Sequence, residues 1–171
     1  PRAFDITFAD RYSLCIINGD KFVNEPRPEK IVEGFFNDTF LFDQNACTSP
    51  HLVLWIGSSK NVEKAKNMFW NKLHTLVSSR YEIQPVVAID KLTSFYNQAV
   101  QTEKVLLESR KDNMIFRVKL NGLKDDIDCY RSHSGYFSEC HISSLMDLSN
   151  IINKKYQTLS YYGFKKEKLT N

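Results

Sequence analysis

The chain has 171 residues, 42% of them hydrophobic and 25% charged, with 12 Phe and 8 Tyr, which suits one α/β-sized domain with a substantial core and is short for two. Its 23 basic and 20 acidic residues leave a formal charge of +3, too balanced to mark a nucleic-acid binder by itself. No run approaches the roughly 18 apolar residues of a membrane span, and four cysteines with no CxxC pair and no signal-like leader read as reduced thiols in a cytoplasmic setting.

The sequence opens at Pro1 without a methionine and enters "DITFADRYSLCIING" almost at once, so it is expected to be a piece of a longer protein. "YSLCII" (Tyr12 to Ile17) predicts a buried strand, closed by the turn residues Asn18, Gly19 and Asp20. "EPRPEKIVEGFFNDTF" opens on Pro26 and Pro28, which suit a first helical turn, and continues with Ile31, Val32, Phe35, Phe36 and Phe40 at helical spacing. That spacing predicts a helix ending just before Cys47. "LVLWIG" (Leu52 to Gly57) is a continuous apolar run of strand length, as expected where both faces are covered. Ser58 or Ser59 then caps a long helix with Val62, Ala65, Phe69, Leu73, Leu76 and Val77 on one stripe. "PVVAI" is a short strand candidate, and "LTSFYNQAVQTEKVLLES" a helix carrying Leu92, Phe95, Ala99 and Leu106. "MIFRVKL" (Met114 to Leu120) alternates, so one side meets water. "GYFSECHI" predicts a strand, "SSLMDLSNIINKKY" a helix with Ser144 and Asp147 in capping-box spacing, and "QTLSYYGF" a final strand. Strands alternating with helices imply a single α/β domain over 1–171 with a mostly parallel open sheet and helices on both faces.

Cys47 stands between a helix and a buried strand, in the connection "QNACTSPH". Asn45, Ala46, Thr48 and Ser49 around it are small or hydrogen-bonding, leaving room for a substrate and offering backbone N–H groups to a developing oxyanion. A lone cysteine is otherwise a small buried hydrophobe. His51, four residues on, would depress the thiol pKa if its ring came close, and would sit at the strand start if not. Cys15, mid-strand in "SLCII", reads as core. Cys140 and His141 are neighbours on a strand and point to opposite faces, so they do not share an ion, and no metal site is expected. The lysines at 154, 155, 165, 166 and 168 read as a solvated helix end and tail. Tyr161, Tyr162 and Phe164 fit a core, or the lining of an acyl channel.

"FFNDTFLFDQNACTSPHLVLWIG" resembles the active-site segment of the lux-type long-chain acyl-CoA reductases, a branch of the aldehyde dehydrogenase superfamily, and "YQTLSYYGF" resembles their C-terminal signature. The resemblance implies an aldehyde dehydrogenase-like catalytic domain whose nucleophile is Cys47. It further implies an acyl group taken from acyl-CoA or from a partner acyl-protein synthetase, reduction by NADPH to a fatty aldehyde, and a homo-oligomeric full-length enzyme. The chemistry is consistent with this, because thiolate is both a good nucleophile and a good leaving group, and the cofactor carries the hydride.

Two departures from the wider superfamily stand out. The region around Asp10 to Ser13 has no Glu to activate water, which argues against oxidation of an aldehyde to free acid. In "SHSGYFSEC" the only acid, Glu139, follows Phe137 instead of preceding a Phe, so a nicotinamide-ribose role does not transfer. With six glycines and no glycine-rich phosphate loop, the chain is expected to hold the thiol while an upstream domain holds most of the cofactor. Two other classes remain open on the residues alone. One is a cysteine hydrolase or acyltransferase with His51 as general base; the other is a non-catalytic assembly domain in which Cys47 is incidental.

Overall fold

A computed structural model describes residues 10–102, 104–108 and 112–169; the expected opening at Pro1 and the end of the "LTSFYNQAVQTEKVLLES" segment lie outside them. Strand β1 (Tyr12–Asn18) runs straight into a single helical turn, α1 (Gly19–Phe22), in place of an open turn, because Asn18 Oδ1 accepts from Lys21 N–H at 3.0 Å and caps it. Helix α2 (Pro28–Thr39) starts on a proline and gives way to a 3-10 turn at Phe40–Phe42. It therefore stops eight residues short of Cys47, earlier than its spacing predicts. Buried Thr39 turns its hydroxyl back onto Phe35 O at 2.6 Å, the local bond by which Ser and Thr loosen a helix.

Strand β2 (Leu52–Ile56) leads into the 22-residue α3 (Ser59–Arg80). Next comes α4 (Pro85–Gln101), so "PVVAI" is not a strand: Pro85 occupies the first helical turn, where its missing N–H costs nothing. The helix ends at Gln101, and Leu106 belongs to the two-residue strand β3 (Leu106–Leu107). Strand β4 (Phe116–Lys119) buries Phe116 and Val118 and turns Lys119 to water, as its alternation predicts. Strand β5 (Tyr136–His141) is buried but for His141. The expected helix after it is only a 3-10 segment, Leu145–Asn150, although the Ser144/Asp147 capping box forms. Strand β6 (Tyr156–Tyr162) closes the fold.

The sheet order is β3-β4-β5-β2-β1-β6, parallel throughout except for the β3/β4 edge pair. Helices cover both faces. Ile17, Val53, Trp55 and Phe137 meet Phe22, Phe35, Phe69 and Leu73 from α1 to α3 on one side. On the other, Leu14, Ile16, Leu54 and Phe116 meet Leu92 and Phe95 of α4 and the short 3-10 segments. Each such side chain contributes roughly 1.5–3 kcal/mol by leaving water, and Cys15 sits among them as expected, its thiol pushed up to about 12 by burial.

Two charged or polar residues take core positions that no hydrophobic pattern would announce. Lys91 of α4 is fully buried, donating to the carbonyls of Asn113, Met114 and Ser134 at 2.6, 3.0 and 2.8 Å. Glu139 of β5 is also fully buried: one carboxylate oxygen accepts from the indoles of Trp55 and Trp70 at 3.1 Å each, and the other from Arg117 at 2.5 Å. Glu139 thus pins β5 to β2, α3 and β4, which gives it a structural use.

Candidate active site

The connection carrying Cys47 is shaped by two successive residues in the left-handed region, Asp43 (φ 51°) and Gln44 (φ 61°). Such backbone costs about 1–3 kcal/mol per residue and persists only where its surroundings hold it. Here the hold is explicit. Asp43 accepts from the Tyr81 hydroxyl at 2.6 Å and from Ser134 N–H at 2.9 Å. Gln44, 1% exposed, donates through Nε2 to Pro50 O and Tyr136 O and accepts through Oε1 from the N–H groups of Gly135 and Tyr136, at 2.9–3.1 Å. Gly135 (φ 90°) permits this approach, since a Cβ there would lie 2.5 Å from Met114 O. Ser13 of β1 completes the clamp by donating to Cys47 O at 2.7 Å.

Held in this way, Cys47 is exposed at the amino ends of β1, β2 and β6. It shares a cavity of about 460 Å³ with Asn45, His51, Arg131 and His133. Its Sγ accepts from Gln157 Nε2 at 3.3 Å, a partner 110 residues away in sequence. Sequence reasoning missed both Gln157 and Gln44; the only signal was that Gln157 falls in "YQTLSYYGF" and Gln44 in "QNACTSPH".

The four predicted site residues are not equivalent. Asn45 and His51 line the cavity with Cys47, and Thr48 is exposed outside its lining. The backbone N–H groups of Asn45 and Ser49 are spent on Phe42 O and Ala46 O, and Ser49 Oγ on Asp38 O. Those of Ala46, Cys47 and Thr48 donate to nothing among the described residues, and of these Ala46 and Cys47 line the cavity where an oxyanion would form. His51 is 8% exposed, and its ring stacks on Tyr12 with centroids 5.7 Å apart. No hydrogen bond joins it to Cys47 among the described residues. Burial, reinforced by the charge of Arg131, drops its pKa to about 4, so it is neutral near pH 7 and forms no ion pair with the thiol. Its Nδ1 and the hydroxyls of Tyr12 and Tyr156 are buried with no partner among the described residues, and burial raises the pKa of both tyrosines.

Of the other cysteines, Cys15 and Cys140 are buried and Cys129 is exposed, and His141 beside Cys140 turns outward to Gly57 O at 3.0 Å. Among the described residues no cluster of three or more potential metal ligands exists, and no helix is long and apolar enough to cross a membrane.

The carboxyl ends of the strands, where open α/β sheets usually hold nucleotides, carry a second cavity of about 640 Å³ beside Gly57, Ser58 and Ser59. The amino end of α3 there is already answered by the chain's own carboxylate. Asp20 accepts from Ser58 N–H, Ser58 Oγ and Asn61 Nδ2, and these bonds lower its pKa. With Asp147 on the same cavity, the described residues do not fit the phosphates of a dinucleotide.

The sequence profile of the acyl-CoA reductase (LuxC) family matches residues 1–130, which includes the Cys47 loop and stops before β6. No curated protein matches the sequence. Among solved structures, a variant of Thermus thermophilus 1-pyrroline-5-carboxylate dehydrogenase superposes with a TM-score of 0.53 at 10% identity, over 94% of this chain and 33% of that one. A 1-pyrroline-5-carboxylate dehydrogenase from Thermus with bound NAD gives the same TM-score, identity and coverage. An aldehyde dehydrogenase from Brucella melitensis biovar abortus gives a TM-score of 0.46 at 10% identity, over 89% of this chain and 38% of that one. The chain therefore spans about a third of the length of these dehydrogenases, and at such identity the likeness is one of fold.

Proposed function

Because the chain belongs to the acyl-CoA reductase (LuxC) family and has an aldehyde dehydrogenase-like fold, we propose that Cys47 is the acyl acceptor of a fatty acyl reductase. The observation that carries this reading is the exposed Sγ at 3.3 Å from an amide donor, on a cavity lined by Ala46 and Cys47, whose backbone N–H groups donate to nothing among the described residues. In the first step Sγ, as thiolate, attacks the carbonyl carbon of an acyl-CoA or of an acyl-protein synthetase. The carbonyl oxygen gathers charge against the N–H groups of Ala46 and Cys47, the bond from carbon to the donor sulfur or oxygen breaks, and the departing group takes up a proton. The enzyme is left as a thioester at Cys47.

NADPH is the proposed reductant, supplying the hydride that would take that thioester to the aldehyde. Its phosphates find no fitting cradle among the described residues, so no residue here is assigned to that step. No glutamate lies between Asp10 and Ser13, and Asp10, the carboxylate that does line the Cys47 cavity, is paired with Arg131 and so is poorly placed to activate water against the thioester. A hydrolase reading would need His51 to take the Cys47 proton. A buried imidazole with a pKa near 4 and no contact to the sulfur is a poor base for that transfer.

The test is intact-mass analysis after incubation with tetradecanoyl-CoA. One acyl adduct per chain, lost in Cys47→Ala, is expected. An adduct that persists in Cys47→Ala, or steady release of free acid without an adduct, would overturn the assignment.

A further inference from the structure

Strand β6 contains one irregularity. Tyr156 pairs with Tyr12 and Thr158 with Ser13, so Gln157 is an extra residue opposite the Tyr12/Ser13 step. Bulges of this kind re-aim a side chain and are common beside active sites. In this instance the amide reaches Cys47 Sγ. The same Gln157 also lines a separate groove of about 380 Å³ on the second face of the sheet. That groove is walled by Leu14 and Leu159 of the sheet and by Leu148, Met146 and Ile152 of the overlying segment. It is left open because the 3-10 segment Leu145–Asn150 packs on the second core through half-buried Leu145 and Leu148 and buries none of its residues fully. Met146 and Ile152 are 74% and 50% exposed on its rim.

We propose that this groove holds the hydrocarbon chain of an acyl group carried on Cys47, with Gln157 at the junction between sulfur and groove. The proposal rests on the thioester reading above. An aliphatic chain leaving the sulfur past Gln157 meets exposed Met146 and Ile152 and half-buried Leu148 and Leu159 over a floor of buried Leu14, and each methylene removed from water strengthens binding about fourfold. A flexible methionine on the rim suits chains of varied length. The amide itself donates to the thiolate before transfer and is released once the sulfur is acylated, since a thioester sulfur is a weaker acceptor. The competing route is over the exposed Leu41 and Phe42 on the other side of the Cys47 loop, 62% and 70% exposed.

The experiment measures the rate of Cys47 acylation by acetyl-, butanoyl-, octanoyl- and tetradecanoyl-CoA in four chains: wild type, Met146→Trp, Ile152→Trp and Phe42→Ser. The two tryptophan substitutions fill the groove from exposed positions that the fold does not need buried. The wild-type rate constant is expected to climb with chain length. In the tryptophan variants that climb flattens, with at least a tenfold loss for tetradecanoyl-CoA and an unchanged acetyl-CoA rate, and Phe42→Ser behaves as wild type. A climb that survives both tryptophans, a climb lost only in Phe42→Ser, or a wild-type rate indifferent to chain length each overturns the groove while leaving Cys47 as acceptor. Failure of Cys47 to acylate with any donor overturns the thioester reading and the groove with it.

Discussion

At the scale of single residues, the site is a loop whose strain is held by side chains remote in sequence. The neighbours of Cys47 showed the possibility of a nucleophile because small polar residues are poor core company. Gln44, Ser13 and Gln157 could not be read in that way, since their partners depend on which strand lies beside which. His51 illustrates the difference between being near a site and acting in it, and its burial has a measurable consequence. Its folded-state pKa of about 4 lies below the unfolded value near 6.5, so between those values the unfolded chain binds the extra proton. Stability is therefore unaffected by this group above about pH 6.5, falls as pH drops through that window, and is lower by about 3 kcal/mol below pH 4. Denaturant midpoints from pH 7.5 to 4 are expected to fall more steeply for the wild type than for His51→Phe, which keeps a ring against Tyr12. Parallel profiles would mean that the imidazole is protonated in the folded state.

At the scale of elements, the interior strands were legible, while the edge strand β3 and the first turns of α4 were not. Strands β1, β2 and β5 lie inside the sheet, covered on both faces, so an apolar run or an alternation marks them whatever the details. Helix α4 reverses the usual pattern: Val86, Ile89, Tyr96 and Val100 are exposed, while Lys91 and Gln98 are buried. Gln98 is satisfied by the Tyr136 hydroxyl at 2.7 Å and by Ser138 Oγ at 3.3 Å. A pattern reader sees β-branched residues after a proline and assigns a strand. Glu139 is a similar case between elements, being an acid in a strand whose burial under two indoles no hydrophobic pattern announces. Its pairing with Arg117 predicts that Arg117→Leu costs about 3–5 kcal/mol, because the carboxylate stays buried without its cation. Urea unfolding followed by tryptophan fluorescence reads this directly, since both indoles donate to Glu139. A loss under about 1 kcal/mol would show that the indoles alone satisfy the carboxylate.

At the scale of the whole molecule, the sheet is closed by the strand that comes last in sequence. Strand β1 lies between β2 and β6, so its register with Leu52–Ile56 forms early in the chain, and its register with Tyr156–Tyr162 waits for the C-terminus. Removing residues 154–171 would strip one side of β1 of its backbone partners. It would also uncover Leu14 and Ile16 by taking away Tyr156, Leu159 and Phe164, which pack on the second core, and would remove Lys155, the cation 2.9 Å from buried Asp128. Half a buried ladder and a wall of one core together exceed what a domain of this size holds in net stability, about 5–15 kcal/mol. The shortened chain is therefore expected to lose its cooperative denaturant transition and to bind a hydrophobic dye, even though it retains the whole Cys47 loop and all of the family-matched stretch. A sharp transition at an unchanged midpoint would show that β6 is an accessory to the fold. In that event its bulge would serve the thiol alone, and loss of Gln157 would appear in Cys47 reactivity without any change in stability.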